Sequence, residues 1–199
     1  MGYIKSAREI ADEKIASLGE VTEEERLNWK YYPEGEKIAA TYTRGDCNLT
    51  AELSRYDEKV KSYVISGVQA VLIRNIDLPK NDHIKQLNKR AMDGFKTLKG
   101  DKAAVENVFS QIRRLFEHYS SQGDQQRKQA YETLKSDFTA KVQQALQQQM
   151  GNSIPVNMAN INVENQPQFQ EEWQKLKNQM DDQYLSYLDE YKQELLNIP

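Results

Sequence analysis

The feature that most constrains the fold is the spacing of the apolar residues, which recur every three or four positions over long stretches. Residues 101–119 and 164–198 show it most clearly, and proline and glycine are nearly absent from both. Such a row lies on one face of an α-helix, so both stretches are predicted to be amphipathic helices. The second row comprises Phe169, Trp173, Leu176, Met180, Tyr184, Tyr187, Tyr191 and Leu195.

Several helix boundaries are marked by residues that cap helices. Thr22 is followed three residues later by Glu25, the pattern of a capping box. Pro33 suits the first turn of a helix, where its missing N–H is not needed. The first 46 residues are therefore predicted to form short helices, at 5–18, about 22–31 and about 34–43.

The middle of the chain has further boundary signals. Asn81 or Asp82 can cap the helix that leads to Leu98. Gly100 fits the position just after that helix, where a left-handed backbone favours glycine, and Asp101 can cap the next one.

The stretch 49–76 is open to two interpretations. Its first half has a heptad-like spacing, whereas residues 63–73 are apolar on nearly every face and rich in β-branched side chains. A strand there would need a partner strand, and the chain offers no second candidate. We therefore expect a helix that is buried on most sides, with Gly67 allowing close approach of a neighbouring helix.

These patterns predict an all-α protein, a multi-helix bundle that ends in a long antiparallel, coiled-coil-like hairpin. The hairpin would join residues 122–149 to 164–198 through a connector at about 150–165. Three segments are expected: short N-terminal helices at 1–46, a central helical bundle with a basic surface at 47–121, and the hairpin at 122–199.

Charge is unevenly distributed along the chain. Residues 1–36 carry a net charge of −4, residues 74–114 of +5 and residues 164–199 of −5, although the total is only −3. The basic stretch could follow nucleic-acid phosphates, or the acidic ends could lie against it in the same chain or in a partner. We favour the second reading, and the candidate basic patch is Lys85, Lys89, Arg90, Lys96 and Lys99.

Candidate chemistry is sparse. The single cysteine, Cys47, lies in RGDCNL, where Gly45 can end one helix and Asp46 or Asn48 can cap the next. A cysteine nucleophile also needs a base, and neither histidine of the chain lies in a recognisable signature. We expect no catalytic residue, no metal site and no cofactor. The paired carboxylates Asp181–Asp182 and Glu171–Glu172 are predicted to lie on exposed helix faces.

The aromatic row of the last helix is the candidate interaction surface: Trp173, Met180, Tyr184, Tyr187 and Tyr191. The preceding helix is rich in glutamine and partly alanine on its apolar row, which makes it a poor cover for these large side chains. A second chain would cover them well, so a homodimer or another protein partner is expected.

The expected function follows from these exclusions. We interpret the chain as a non-enzymatic helical scaffold or protein–protein interaction module. The first alternative is an accessory protein that binds nucleic acid weakly through residues 74–114, and a cysteine-dependent enzyme is the least favoured. A single cysteine and the lack of an apolar run of membrane-spanning length favour a cytoplasmic protein without a membrane partner.

Overall fold

The computed structural model of the chain describes residues 21–150 and 162–199, and every regular element among them is helical. The all-α, multi-helix prediction is therefore confirmed, while the helix predicted at 5–18 lies outside the described residues. The elements are α1 (Glu23–Arg44), α2 (Leu49–Leu53), α3 (Glu58–Arg74), α4 (Asp82–Leu98), α5 (Lys102–Ser120), α6 (Gln122–Met150), a 3-10 turn (Val163–Asn165) and α7 (Pro167–Asn197). No helix within the described ranges is long and apolar enough to cross a membrane.

The chain forms two compact units. Among the described residues, the N-terminal unit comprises 21–75 together with Asp93–Leu98, and the C-terminal unit comprises Ile76–Met92 together with 99–150 and 162–199. The boundaries between the units follow Asn75, Met92 and Leu98. The three segments expected from the sequence stay a prediction.

In the N-terminal unit, the expected break at Pro33 is wrong, because α1 runs through it as one helix. An interior proline removes one backbone hydrogen bond, here the bond to the carbonyl of Trp29, and it usually costs about 3 kcal/mol. Pro33 and Trp29 are both exposed, so water can hydrate that carbonyl. Contacts of α1 with α3 on both sides of Pro33, at Tyr32 and Gly35, hold the helix together.

Helices α1 and α3 cross with their backbones in contact. A Cβ atom built on Gly35 would lie 2.0 Å from the carbonyl oxygen of Val64, and one on Gly67 would lie 2.1 Å from that of Tyr32. The close approach predicted at Gly67 is therefore confirmed. The stretch 63–73 lies within α3, which decides between helix and strand in favour of the helix.

In the C-terminal unit, α7 runs antiparallel to two helices in succession. Its second half lies along α5 and its first half along α6, which follow each other end to end. The pairs that touch are Gly100 with Pro199, Tyr119 with Asp181, Tyr131 with Trp173, and Phe138 with Phe169. The expected hairpin of α6 and α7 is thus only part of the arrangement, and its coiled-coil packing stays a prediction.

The predicted boundaries hold at most positions. Thr22 and Glu25 form the capping box, Asn81 caps α4 and Asp101 caps α5. The left-handed backbone expected at Gly100 is wrong, since the only residue of positive φ in the described ranges is Gly45, at 93°. Helix α4 instead ends in extended backbone at Lys99, and the Gly100 N–H donates to the Pro199 carbonyl at 3.2 Å.

Candidate functional site

Helices α5 and α6 cover the candidate interaction surface of α7 only in part. The rings of Trp173 and Tyr131 pack edge to face with their centres 5.0 Å apart, and those of Tyr184 and Tyr119 do the same at 5.1 Å. Trp173, Met180, Tyr184 and Tyr191 are half-buried. Tyr187 stays 55% exposed, which makes it the most accessible member of the row.

Two open clefts beside this row adjoin at Gln126, and together they form what we call the groove. The first cleft, of about 270 Å³, is lined by Leu115, His118, Gln126, Met180, Gln183, Tyr184 and Tyr187. The second, of about 430 Å³, is lined by Gln126, Gln129, Ala130, Thr133, Leu134, Asp137 and Leu176. Asp137 is the only carboxylate among these residues, and His118 is the only other ionisable group apart from the two tyrosines.

The groove passes the junction of α5 and α6. Helix α5 ends at Ser120. The next residue, Ser121, has a φ of −106° and a ψ of −82°, which are not helical, and backbone hydrogen bonds continue on both sides of it. Serine and glycine residues are common at such helix kinks. At this point His118 Nδ1 and Tyr184 Oη share a hydrogen bond of 2.9 Å, which fixes the tyrosine ring in the wall of the groove.

A buried polar cluster lies behind the groove, on the inner side of α7. Asp181 is 4% exposed; one carboxylate oxygen accepts a hydrogen bond from the Tyr119 hydroxyl at 3.1 Å, and the other pairs with Lys80 Nζ at 3.1 Å. Arg127 covers the Tyr119 ring at 4.0 Å and donates to the Tyr119 carbonyl at 3.0 Å. The cluster therefore ties α7 to α5, to α6 and to the chain before α4.

The exposed position predicted for Asp181 is wrong, whereas Asp182 is exposed as expected. The spacing of residues along α7 could have predicted that Asp181 is buried. Asp181 lies seven residues before Leu188 and fourteen before Leu195, and both leucines are fully buried. Multiples of seven keep side chains on one helix face, so Asp181 occupies a core position despite its charge.

We predict a loss of stability at alkaline pH that is specific to Tyr119. Burial, then the nearby Asp181 carboxylate, raise the pKa of this phenol from 10.0 to about 12. Between pH 10 and 12 the unfolded chain therefore releases a proton that the folded chain keeps, and stability falls with rising pH. Urea unfolding at pH 9 and pH 11.5 should show this fall, and Tyr119→Phe should reduce it; an equal fall in both proteins would contradict the assignment.

The residues of the candidate basic patch differ in their partners and in their burial. Lys85 pairs with Asp82 at 2.9 Å, Lys89 and Arg90 are exposed on α4, and Lys96 is half-buried. Lys99 is only 8% exposed, and its ammonium donates to the carbonyls of Leu196, at 3.1 Å, and Ile198. Burial lowers the pKa of Lys99. Lys99 holds the end of α7 and is not available to a phosphate.

Cys47 has the surroundings of a helix boundary. Asn48 caps α2 by accepting a hydrogen bond from the Ala51 N–H at 3.1 Å, as one of the two predicted capping residues. Burial, followed by the carboxylates of Glu52 and Asp46, raises the pKa of the Cys47 thiol. An activated nucleophile needs the opposite shift. Across 21–150 and 162–199, no three His, Cys, Asp or Glu residues are grouped so as to hold a metal ion.

Comparison with known proteins gives a family match. Residues 50–197, well over half of the chain, match the model of a family of unknown function, DUF6657. No protein with a curated description and no solved structure matches the chain.

Proposed function

Because the chain belongs to DUF6657, a family of unknown function, its family defines no activity, and we propose from its geometry that it is a non-enzymatic interaction module. It binds protein through the groove. The observation that carries this proposal is the composition of the groove: the thirteen lining residues include one carboxylate and one histidine, in a chain in which 29% of the residues are charged.

A low charge and accessible aromatic side chains distinguish the centres of protein interfaces from ordinary surface. Interface cores are depleted in charged residues and enriched in tyrosine and methionine. The groove has both properties, since Tyr184, Tyr187 and Met180 line one end and Leu134 and Leu176 the other. A solvated helix face with no partner would be expected to carry charged side chains here.

The shape of the groove supports a protein partner rather than a small molecule. Small-molecule sites are concave and enclose most of the ligand surface. This groove is open and follows the line along which α5 and then α6 lie beside α7, which suits the apolar face of another helix. A cytoplasmic location, which the single reduced cysteine supports, is part of the proposal.

The proposal is tested by placing a photo-crosslinking amino acid in the groove and outside it, in cells that make the full chain. p-Benzoylphenylalanine at position 187 should give protein adducts on illumination. The same group at position 190, an exposed site on α7 that does not line the groove, should give few. Equal yields at both positions, or no protein adduct at 187, would overturn the proposal.

For nucleic acid, we predict only weak and salt-sensitive binding. Lys85 pairs with a carboxylate and Lys99 is buried, so neither offers its full charge to a phosphate. Fluorescence anisotropy with a labelled duplex in 0.15 M salt should give a Kd weaker than about 10 µM. Tighter binding that disappears in the Lys89→Glu, Arg90→Glu double variant would favour the nucleic-acid alternative instead.

A further inference from the structure

We infer that the protein that fills the groove is a second copy of this chain, laid antiparallel across it about a two-fold axis. This inference rests on the proposed function and names the partner of the same surface. It is carried by the polar groups at the two ends of the groove, by the residues at its centre and by its size.

The two ends of the groove carry different polar groups. One end is formed by α5 at Leu115 and His118, whose imidazole can donate a hydrogen bond. The other end holds Asp137 of α6, the only carboxylate that lines the groove. An antiparallel copy would bring Asp137 of each groove to His118 of the other, twice, as two-fold symmetry requires. A parallel copy would place the two Asp137 carboxylates together, which disfavours it.

The centre of the groove is neutral and able to pair with itself. Gln126 and Gln129 lie midway along the chain between His118 and Asp137. Residues near a two-fold axis face their own copies, so a charged side chain there would meet the same charge. A glutamine amide is both donor and acceptor, and can bond to an identical amide.

Other faces of the C-terminal unit suit self-association less well. Residues 164–199 carry a net charge of −5, so two copies that met through the outward face of α7 would repel each other. The groove avoids this conflict, because Asp137 is the only carboxylate among its thirteen lining residues. This distribution favours a second copy over a strongly charged partner.

The groove is also large enough for a dimer. His118 and Asp137 are 19 positions apart, which corresponds to about 28 Å of helix. Two helices side by side are about 20 Å wide, so the face offers several hundred Å² of contact. The two faces together would bury about 1,000 Å², the lower bound for a specific interface.

The test uses charge at the centre of the groove in the full chain. Sedimentation equilibrium should give the wild type the mass of two chains of 23.1 kDa. Gln126→Glu and Gln126→Lys should each raise the dimer Kd at least tenfold, because identical charges meet near the axis. An equimolar mixture of the two variants should restore the dimer, because opposite charges then meet.

The matched control is Gln125→Glu, which adds the same charge to the neighbouring, exposed residue outside the groove. It should leave the dimer Kd within about twofold, and circular dichroism should show equal helix content in all variants. A wild type that is monomeric at 100 µM would overturn the inference. So would a dimer that does not respond to either Gln126 substitution.

Failure of this inference can be told apart from failure of the proposed function. Crosslinking at position 187 to a different protein, with a monomeric wild type, would keep the interaction module and remove the second copy. Crosslinking to the chain itself, with a dimer sensitive to charge at Gln126, would support both. No crosslink at 187 to any protein would remove both.

Discussion

Replacing Gly35 by alanine should lower the free energy of unfolding of the N-terminal unit by about 2 kcal/mol. Inside a helix, alanine is normally favoured over glycine by about 1 kcal/mol. Here the new methyl group would lie 2.0 Å from the carbonyl oxygen of Val64, which belongs to the backbone of α3 and cannot rotate away. Forcing packed elements apart costs about 1–3 kcal/mol or more, which outweighs the helix preference.

The two compact units need not unfold together, so the measurement has to resolve them. Hydrogen exchange read on α1 and α3, beside a thermal melt of the full chain, would locate the loss. Gly100→Ala is the control, since a methyl group there would meet only the Pro199 carbonyl, at an ordinary 3.8 Å. Unchanged protection of α1 and α3 in Gly35→Ala would show that the helices can separate at little cost.

Replacing Asp181 by alanine should destabilise the C-terminal unit by about 2 kcal/mol. The Tyr119 hydroxyl is buried and would lose its carboxylate acceptor, and leaving a buried donor unsatisfied costs about 1–3 kcal/mol. Loss of the ion pair adds little, because Lys80 is 40% exposed and water can hydrate its ammonium.

The neighbouring Asp182 provides the control, because it is exposed and Asp182→Ala should change stability by no more than about 0.5 kcal/mol. Urea unfolding of Asp181→Ala, Tyr119→Phe and the double variant completes a cycle. The double variant should cost less than the sum of the two single variants, because no buried partner is then left unpaired. Additive effects would mean that the hydroxyl and the carboxylate act separately.

Much of the secondary structure was predictable because it depends on residues close in sequence. The Thr22 and Glu25 capping box, the caps at Asn81 and Asp101, and the left-handed Gly45 are all present. Each involves partners within about one helical turn, so the residue that marks the helix end and the backbone that it affects lie in the same short stretch of chain. The two errors at Pro33 and Gly100 occur where a distant contact, with α3 or with Pro199, replaces the local preference.

The candidate site was less predictable. The sequence identified the aromatic row of α7. It did not predict that α5 and α6 both pack against this row, or that a groove stays open beside it. The sequence alone did not distinguish the exposed cations of the basic patch from the buried one. Only the structure distinguishes Lys99, whose ammonium lies against the end of α7, from Lys89 on the surface.

The sequence by itself determined the helices and most of their ends, because a three-to-four residue apolar spacing and a capping side chain act within a few residues. The tertiary structure alone decided which charges are buried and which apolar side chains stay accessible. Asp181 is stable inside the protein because Tyr119 and Lys80, far away in the chain, supply a proton donor and a positive charge. A charge can be buried only where such partners surround it, and the local sequence pattern does not show which distant residues come together.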